Sequence, residues 1–190
     1  MKRKENEMFA SQEMTVGQLN AVVKKLGGQE GTERFLRGEL AVSEKSPRLL
    51  FVDRSVKPTY PEWMKEVLHP ELEHTGPSHL DPALAPLYFH LKQQNGGVLE
   101  GNQLYASLKE TGLIELCYSL RDGEELTKNS QLFPESWKGK YVFLWKSVVQ
   151  DRNGSLFVPC VCWLDGQVCL DWFWLGHFWH GFSPAALSAS

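Results

Sequence analysis

Apolar residues follow a helical period near the start of the chain and a period of two near its end, and that change divides the sequence. Leu19, Val22, Val23 and Leu26 fall at i, i+3, i+4 and i+7, the spacing of one buried helix face. Thr15 precedes them as an N-cap and Gln18 stands three residues on, the pattern of a capping box. Met14 and Leu19 hold the two positions of a hydrophobic staple. Lys24 and Lys25 suit the last turn, and Gly27 suits the left-handed position that ends a helix. A second short helix is predicted over Glu30 to Arg37, with Phe35, Leu36 and Leu40 as its apolar contacts and Gly38 as its end. Together these form a helix-turn-helix-like module within residues 14–42, too small to be stable alone.

The middle of the chain predicts helices between about 61 and 131. One runs from Pro58 to Leu68, and one from Asp81 to about Gln94 with a kink at Pro86. A third is capped by Asn102 with Leu104, Tyr105 and Leu108 inward, and continues helically over Leu113 to Leu120. A last helix begins around Asp122-Gly123. Leu49 to Val52 reads as a short strand. From Lys140 the period becomes two: strands at Tyr141–Val149, Leu156–Leu164 and Gln167–Leu175, the last two joined by Asp165-Gly166. The expected fold class is α+β, with an antiparallel β-meander over about 140–175. In its last hairpin Val161, Trp163, Val168, Leu170 and Trp172 share one face, the expected core side. Residues 1–13 read as a disordered tail, 43–48 as a linker and 49–190 as an α+β body. Met14 leaves open a second translation start.

Composition narrows the function classes. The net charge is −3, spread as +2 over residues 1–48, −6 over 49–136 and +1 over 137–190. No segment carries the dense positive charge that dominates phosphate-backbone affinity. The polar start lacks the apolar region of a signal peptide, and no run of about 18 apolar residues occurs. The expectation is a cytoplasmic protein with no membrane span, whose four cysteines are thiols.

Candidate chemistry is sparse. With a two-residue turn at Asp165-Gly166, Cys162 faces Cys169 and Cys160 faces Asp171, a thiol-rich patch that zinc would suit, with His177 and His180 nearby in sequence. The Cys-x-Cys-x6-Cys spacing is not that of a zinc knuckle, and small apolar packing residues are the alternative. His69, Glu71, Glu73, His74, His79 and Asp81 crowd ligand-type side chains into a turn-rich stretch without metal-motif spacing. Cys117, in an apolar segment, reads as an inert buried thiol. Glu124 and Glu125 read as first-turn helix residues. Six of the seven tryptophans follow residue 136, as sheet core or as a stacking platform for a ligand. No nucleophile elbow, P-loop or dinucleotide fingerprint is present, so no catalytic residue is assigned.

The segment Leu26-Gly-Gly-Gln-Glu-Gly-Thr-Glu-Arg-Phe-Leu-Arg-Gly-Glu39 resembles the turn and second helix of phage-repressor-type helix-turn-helix domains. That resemblance implies a regulator in which Gln29, Thr32, Glu33, Arg34 and Arg37 face DNA. Over nearly the whole chain, Thr15-Val-Gly-Gln-Leu-Asn-Ala-Val-Val-Lys-Lys-Leu-Gly-Gly28 is similar to the opening of a family of uncharacterised bacterial proteins. Tyr60-Pro-Glu-Trp, His69-Pro-Glu-Leu-Glu, Leu120-Arg-Asp, Gly139-Lys, Lys146-Ser-Val-Val and Trp172-Phe-Trp-Leu resemble its later landmarks. The family joins such a front module to differing bodies, which implies docking to a protein partner and supplies no reaction. Three expectations therefore stand: a non-enzymatic interaction protein, a DNA-binding regulator, and a metalloprotein or enzyme using the C-terminal Cys/His set.

Overall fold

The computed structural model describes residues 15–40 and 49–188. The expected tail, staple residue, second start and linker lie outside them. The chain divides into two compact units, Met1–Ser46 and Pro47–Ser190.

The first unit contains α1 (Val16–Lys25) and α2 (Gly28–Leu36). The Thr15/Gln18 capping box forms: Gln18 N–H donates to the Thr15 hydroxyl, and Thr15 N–H donates to Gln18 Oε1 at 2.9 Å. Gly27 takes the left-handed conformation at the elbow. The expected buried face of α1 does not form. Leu19 is 52% exposed and Val22 40%, and no residue of the helix is buried.

The second unit is a mixed α+β structure built on one long strand. The strands are β1 (Leu50–Phe51), β2 (Met64–Val67), β3 (His79–Leu80), β4 (Leu87–Tyr88), β5 (Leu99–Glu100), β6 (Val142–Phe143), β7 (Val149–Asp151), β8 (Leu156–Leu164), β9 (Gln167–Trp174), β10 (Phe178–Trp179) and β11 (Ala185–Ala186). The helices are α3 (Gly101–Glu110) and α4 (Leu120–Lys128). Strand β8 carries β9 along one edge and β7 then β6 along the other; β2 extends the sheet beyond β7, and β11 and β4 extend it beyond β6. The β6–β11 pair is parallel and the others are antiparallel.

The β8–β9 hairpin turns at Asp165 and Gly166, both with positive φ, and pairs Cys162 with Cys169 and Cys160 with Asp171. This is the register read from the turn dipeptide. The core, however, occupies both faces of β8. Val158 and Cys160 join Leu104, Leu108, Phe143, Trp145, Leu175 and Trp179 on one side; Val161 and Val168 join Tyr118, Leu126, Trp137, Val142 and Leu144 on the other. The face opposite the expected core side is therefore packed as well, because β5, β10 and α3 supply a second layer that local alternation does not reveal.

The strand expected over Tyr141–Val149 is broken. Residues Trp145–Ser147 leave the sheet as a 3-10 turn between β6 and β7. Leu144 N–H donates to the Pro159 carbonyl, but Pro159 has no N–H to return the bond. The Leu144 carbonyl takes Ser147 N–H instead, which closes the turn.

The expected central helices are corrected most. Residues Pro58–Leu68 hold β2, drawn into the sheet by β7. Residues Asp81–Gln94 hold β4 and a 3-10 turn at Leu91–Gln93, since Pro86 would remove a helix donor and β11 pairs with Leu87 and Tyr88. Leu113–Leu116 is a 3-10 turn, after which Cys117 is extended and bridges Leu187. Helix α3 starts one residue before the expected Asn102 cap and buries Leu104, Tyr105 and Leu108 as expected. Helix α4 starts at Leu120, with Ser119 as N-cap and Asp122 closing a capping box. Gly123 marks close packing, not a helix start: a Cβ there would stand 2.5 Å from Leu144 Cδ1 and 3.2 Å from Val161 Cγ1.

Candidate functional site

The residues assigned to DNA lie on α2 and just beyond it, and each is engaged within the unit. Gln29 donates to Glu33, and the Thr32 hydroxyl donates to the Gly28 carbonyl. Arg34 pairs with Glu39 at 3.7 Å, and Arg37 pairs with Glu39 at 2.7 Å and Glu33 at 3.9 Å. These pairs are about half exposed, so they are weak. They still place Glu39 beside both arginines and Glu33 beside Arg37, where a phosphate would have to sit. What the unit does present is apolar. Val16, Leu19 and Val22 lie at intervals of three along α1, and all are exposed, as are Phe35 and Leu36 at the end of α2.

The cysteine set divides. Cys160 is fully buried in the core, and burial pushes its thiol far up. Cys162 and Cys169 are half-buried and line a cavity of about 310 Å³ with Lys140, Tyr141, Trp163 and Asp171. His177 packs edge-on against Trp174. Among the described residues no group of three or more His, Cys, Asp or Glu side chains is placed to hold a metal ion, so the set expected to suit zinc is not gathered into a centre. Burial pushes the Cys117 thiol up to about 12, in keeping with an inert thiol.

The crowded stretch from His69 to Asp81 disperses. His69 Nε2 lies 2.6 Å from the Tyr105 hydroxyl, His74 Nδ1 lies 2.6 Å from the Arg54 carbonyl, and His79 packs on Phe51. Glu124 and Glu125 both pair with Arg121, which is itself buried.

Tryptophans 137, 145 and 179 are core residues. Trp63, Trp172 and Phe157 form a separate outer cluster, with Trp63 at 4.9 Å from Phe157 and 5.7 Å from Trp172 between centroids. Trp63 is 40% exposed and borders a cavity of about 660 Å³ with Glu62, Asp151, Arg152, Asn153 and Phe157.

One polar cluster escaped sequence reasoning. Arg54 Nη2 lies 2.7 Å from Asp122 Oδ1, an ion pair in which Asp122 is buried and Arg54 largely covered, though outside hydrogen-bond angles. Asp122 Oδ2 accepts from Ser119 N–H and the Ser119 hydroxyl, and Arg54 also donates to the Pro77 carbonyl. Lys146 is only 2% exposed. Its ammonium and the Arg54 guanidinium both come within 3.4 Å of the point where a Cβ of Gly76 would stand. Gly76, with φ +106°, is thus held to glycine by backbone and by neighbours alike. The Tyr60 hydroxyl is also buried, near Glu73 and Ser147 but without a hydrogen-bond partner. The available signal was a lone lysine inside the apolar run Val142–Val149.

Burial lowers the Lys146 pKa below its ordinary 10.5; Asp122 opposes the shift and Arg54 adds to it. A lysine whose folded pKa is depressed binds fewer protons folded than unfolded between the two values, so stability rises with pH across that window. Lys146→Met is therefore expected to stabilise the protein at neutral pH, by about 1–2 kcal/mol on the scale of buried-charge replacement. The advantage should shrink as pH climbs toward 10.5. Urea denaturation at two pH values checks this; an advantage that grew with pH would reverse the assignment.

Comparison with protein families, with curated proteins and with solved structures finds no match to this chain.

Proposed function

We propose that this is a non-enzymatic interaction protein that docks a protein partner through its N-terminal helix-turn-helix-like module. The carrying observation is the burial pattern: across α1 and α2 only Gly31 is buried, while Val16, Leu19, Val22, Phe35 and Leu36 are exposed. Two helices of this length do not bury enough apolar surface to be stable alone, so a partner face that covers these residues completes the unit. Exposed anchors at helical spacing are what a helix-in-groove contact uses.

Site-specific photo-cross-linking in the full chain tests the reading. Probes at Leu19 and Leu36 should give the same discrete adduct; a probe at Lys24, on the other side of α1, should not. Val22→Asp should remove the adduct from the Leu36 position. Equal adducts from all three positions, or none from any, would end the docking assignment. Anisotropy titration of labelled duplex DNA with the wild type and the Arg34→Glu/Arg37→Glu double variant is expected to show no binding that falls with salt. Micromolar binding that drops steeply with salt and vanishes in the variant would transfer the module to DNA recognition.

A further inference from the structure

We propose that Cys162 and Cys169 are a redox-active dithiol that exchanges with low-molecular-weight disulfides and closes a cross-strand disulfide within the β8–β9 hairpin. The inference is independent of what the N-terminal unit docks.

Three observations carry it. The register sets the two residues directly opposite each other. The ladder phase follows from the end of the hairpin, where Leu175 N–H donates to the Leu156 carbonyl at 2.8 Å. Counting two residues at a time from Leu156 and Leu175 makes Cys162–Cys169 a hydrogen-bonded pair, for which Cα atoms stand about 5.5 Å apart. That separation falls in the usual range for disulfides. The Cβ atoms at such a pair are somewhat wider apart than a relaxed disulfide holds them, so closure draws the strands together and gives a reversible bond, not a permanent staple. Lastly, access separates this pair from the remaining cysteines. Cys117 and Cys160 have no exposed surface, whereas Cys162 and Cys169 border the cavity beside Tyr141 and Asp171.

The exchange balances without another oxidant. Burial, and then the neighbouring Cys169 and Asp171, raise the Cys162 thiol above its ordinary value; the first attack is given to Cys169. The Cys169 thiolate attacks one sulfur of the small disulfide; that S–S bond breaks and the departing thiolate takes a proton from water. Cys162 then gives its proton to water and attacks the Cys169 sulfur. The intramolecular S–S bond forms as the mixed disulfide breaks, and the second small thiol leaves. Two protein thiols are oxidised and one small disulfide is reduced to two thiols.

The test equilibrates the folded full-length chain in oxidised and reduced glutathione, blocks remaining thiols with N-ethylmaleimide, and maps the peptides. Expected is the loss of two alkylatable thiols per chain, a Cys162–Cys169 linked peptide in monomeric protein, and full recovery with dithiothreitol. The Cys162→Ser chain should stop at a glutathione mixed disulfide on Cys169. If that variant does not fold, the wild-type map decides alone. Retention of both thiols in the most oxidising buffer overturns the proposal. So does linkage to Cys160 or Cys117, or linkage only between chains.

Discussion

Asp122→Ala is expected to lower the free energy of unfolding by about 3–5 kcal/mol, the scale for removing one partner of a buried ion pair. The Asp122 side chain is 3% exposed and that of Arg54 13%, so solvent does little to screen the charge left behind. Two cationic heads, Arg54 and Lys146, would face Gly76 with their nearest carboxylate gone. The capping box of α4 is lost with the same atoms, since Asp122 Oδ2 takes both Ser119 donors. Asp122→Asn separates the two contributions. An amide oxygen still accepts at the cap and recovers only that share, about 1 kcal/mol. Pairing Asp122→Leu with Arg54→Met should restore only part of the loss, because Arg54 is then no longer left unpaired while the buried Lys146 ammonium still lacks its carboxylate. Chemical denaturation reads all three variants. A cost below about 1 kcal/mol for the alanine variant would show that the pair is not what holds α4 against the loop at Gly76.

Trp145→Ala is expected to cost a similar amount, about 3–5 kcal/mol, through the cavity it leaves. The residue is fully buried, stacked on Tyr105 and set against Phe143 and Trp179, whose centroids lie 6.2, 6.2 and 5.2 Å away. Trp145→Phe should cost well under half of that. It keeps an aromatic ring among the same neighbours, and the indole N–H it removes is buried without a hydrogen-bond partner. Thermal unfolding monitored by near-ultraviolet circular dichroism compares the two. Equal losses would mean that the indole volume, not the aromatic packing, sets the value.

The parts of this protein legible in its sequence are those decided within a few residues. The Thr15/Gln18 box depends on one helical turn. The β8–β9 register depends on Asp165-Gly166, because a two-residue turn with positive φ at both positions permits one pairing, and that pairing places Cys162 against Cys169. The inward residues of α3 follow from their own spacing. The same local reading failed between residues 58 and 94, where prolines and short apolar runs suit a helix start or an edge strand equally, and the partners that decide, β7 and β11, lie far along the chain.

Sequence by itself thus determined a mixed α+β chain, a capped helix near its start and a hairpin near its end, because each rests on backbone hydrogen bonds closed locally. Tertiary structure alone decided that both faces of β8 are buried, that Leu19 and Val22 are exposed, and that Arg54, Asp122 and Lys146 meet behind Gly76. Burial and charge pairing are properties of neighbours brought together from distant positions, and no periodicity along one segment records which neighbours those will be.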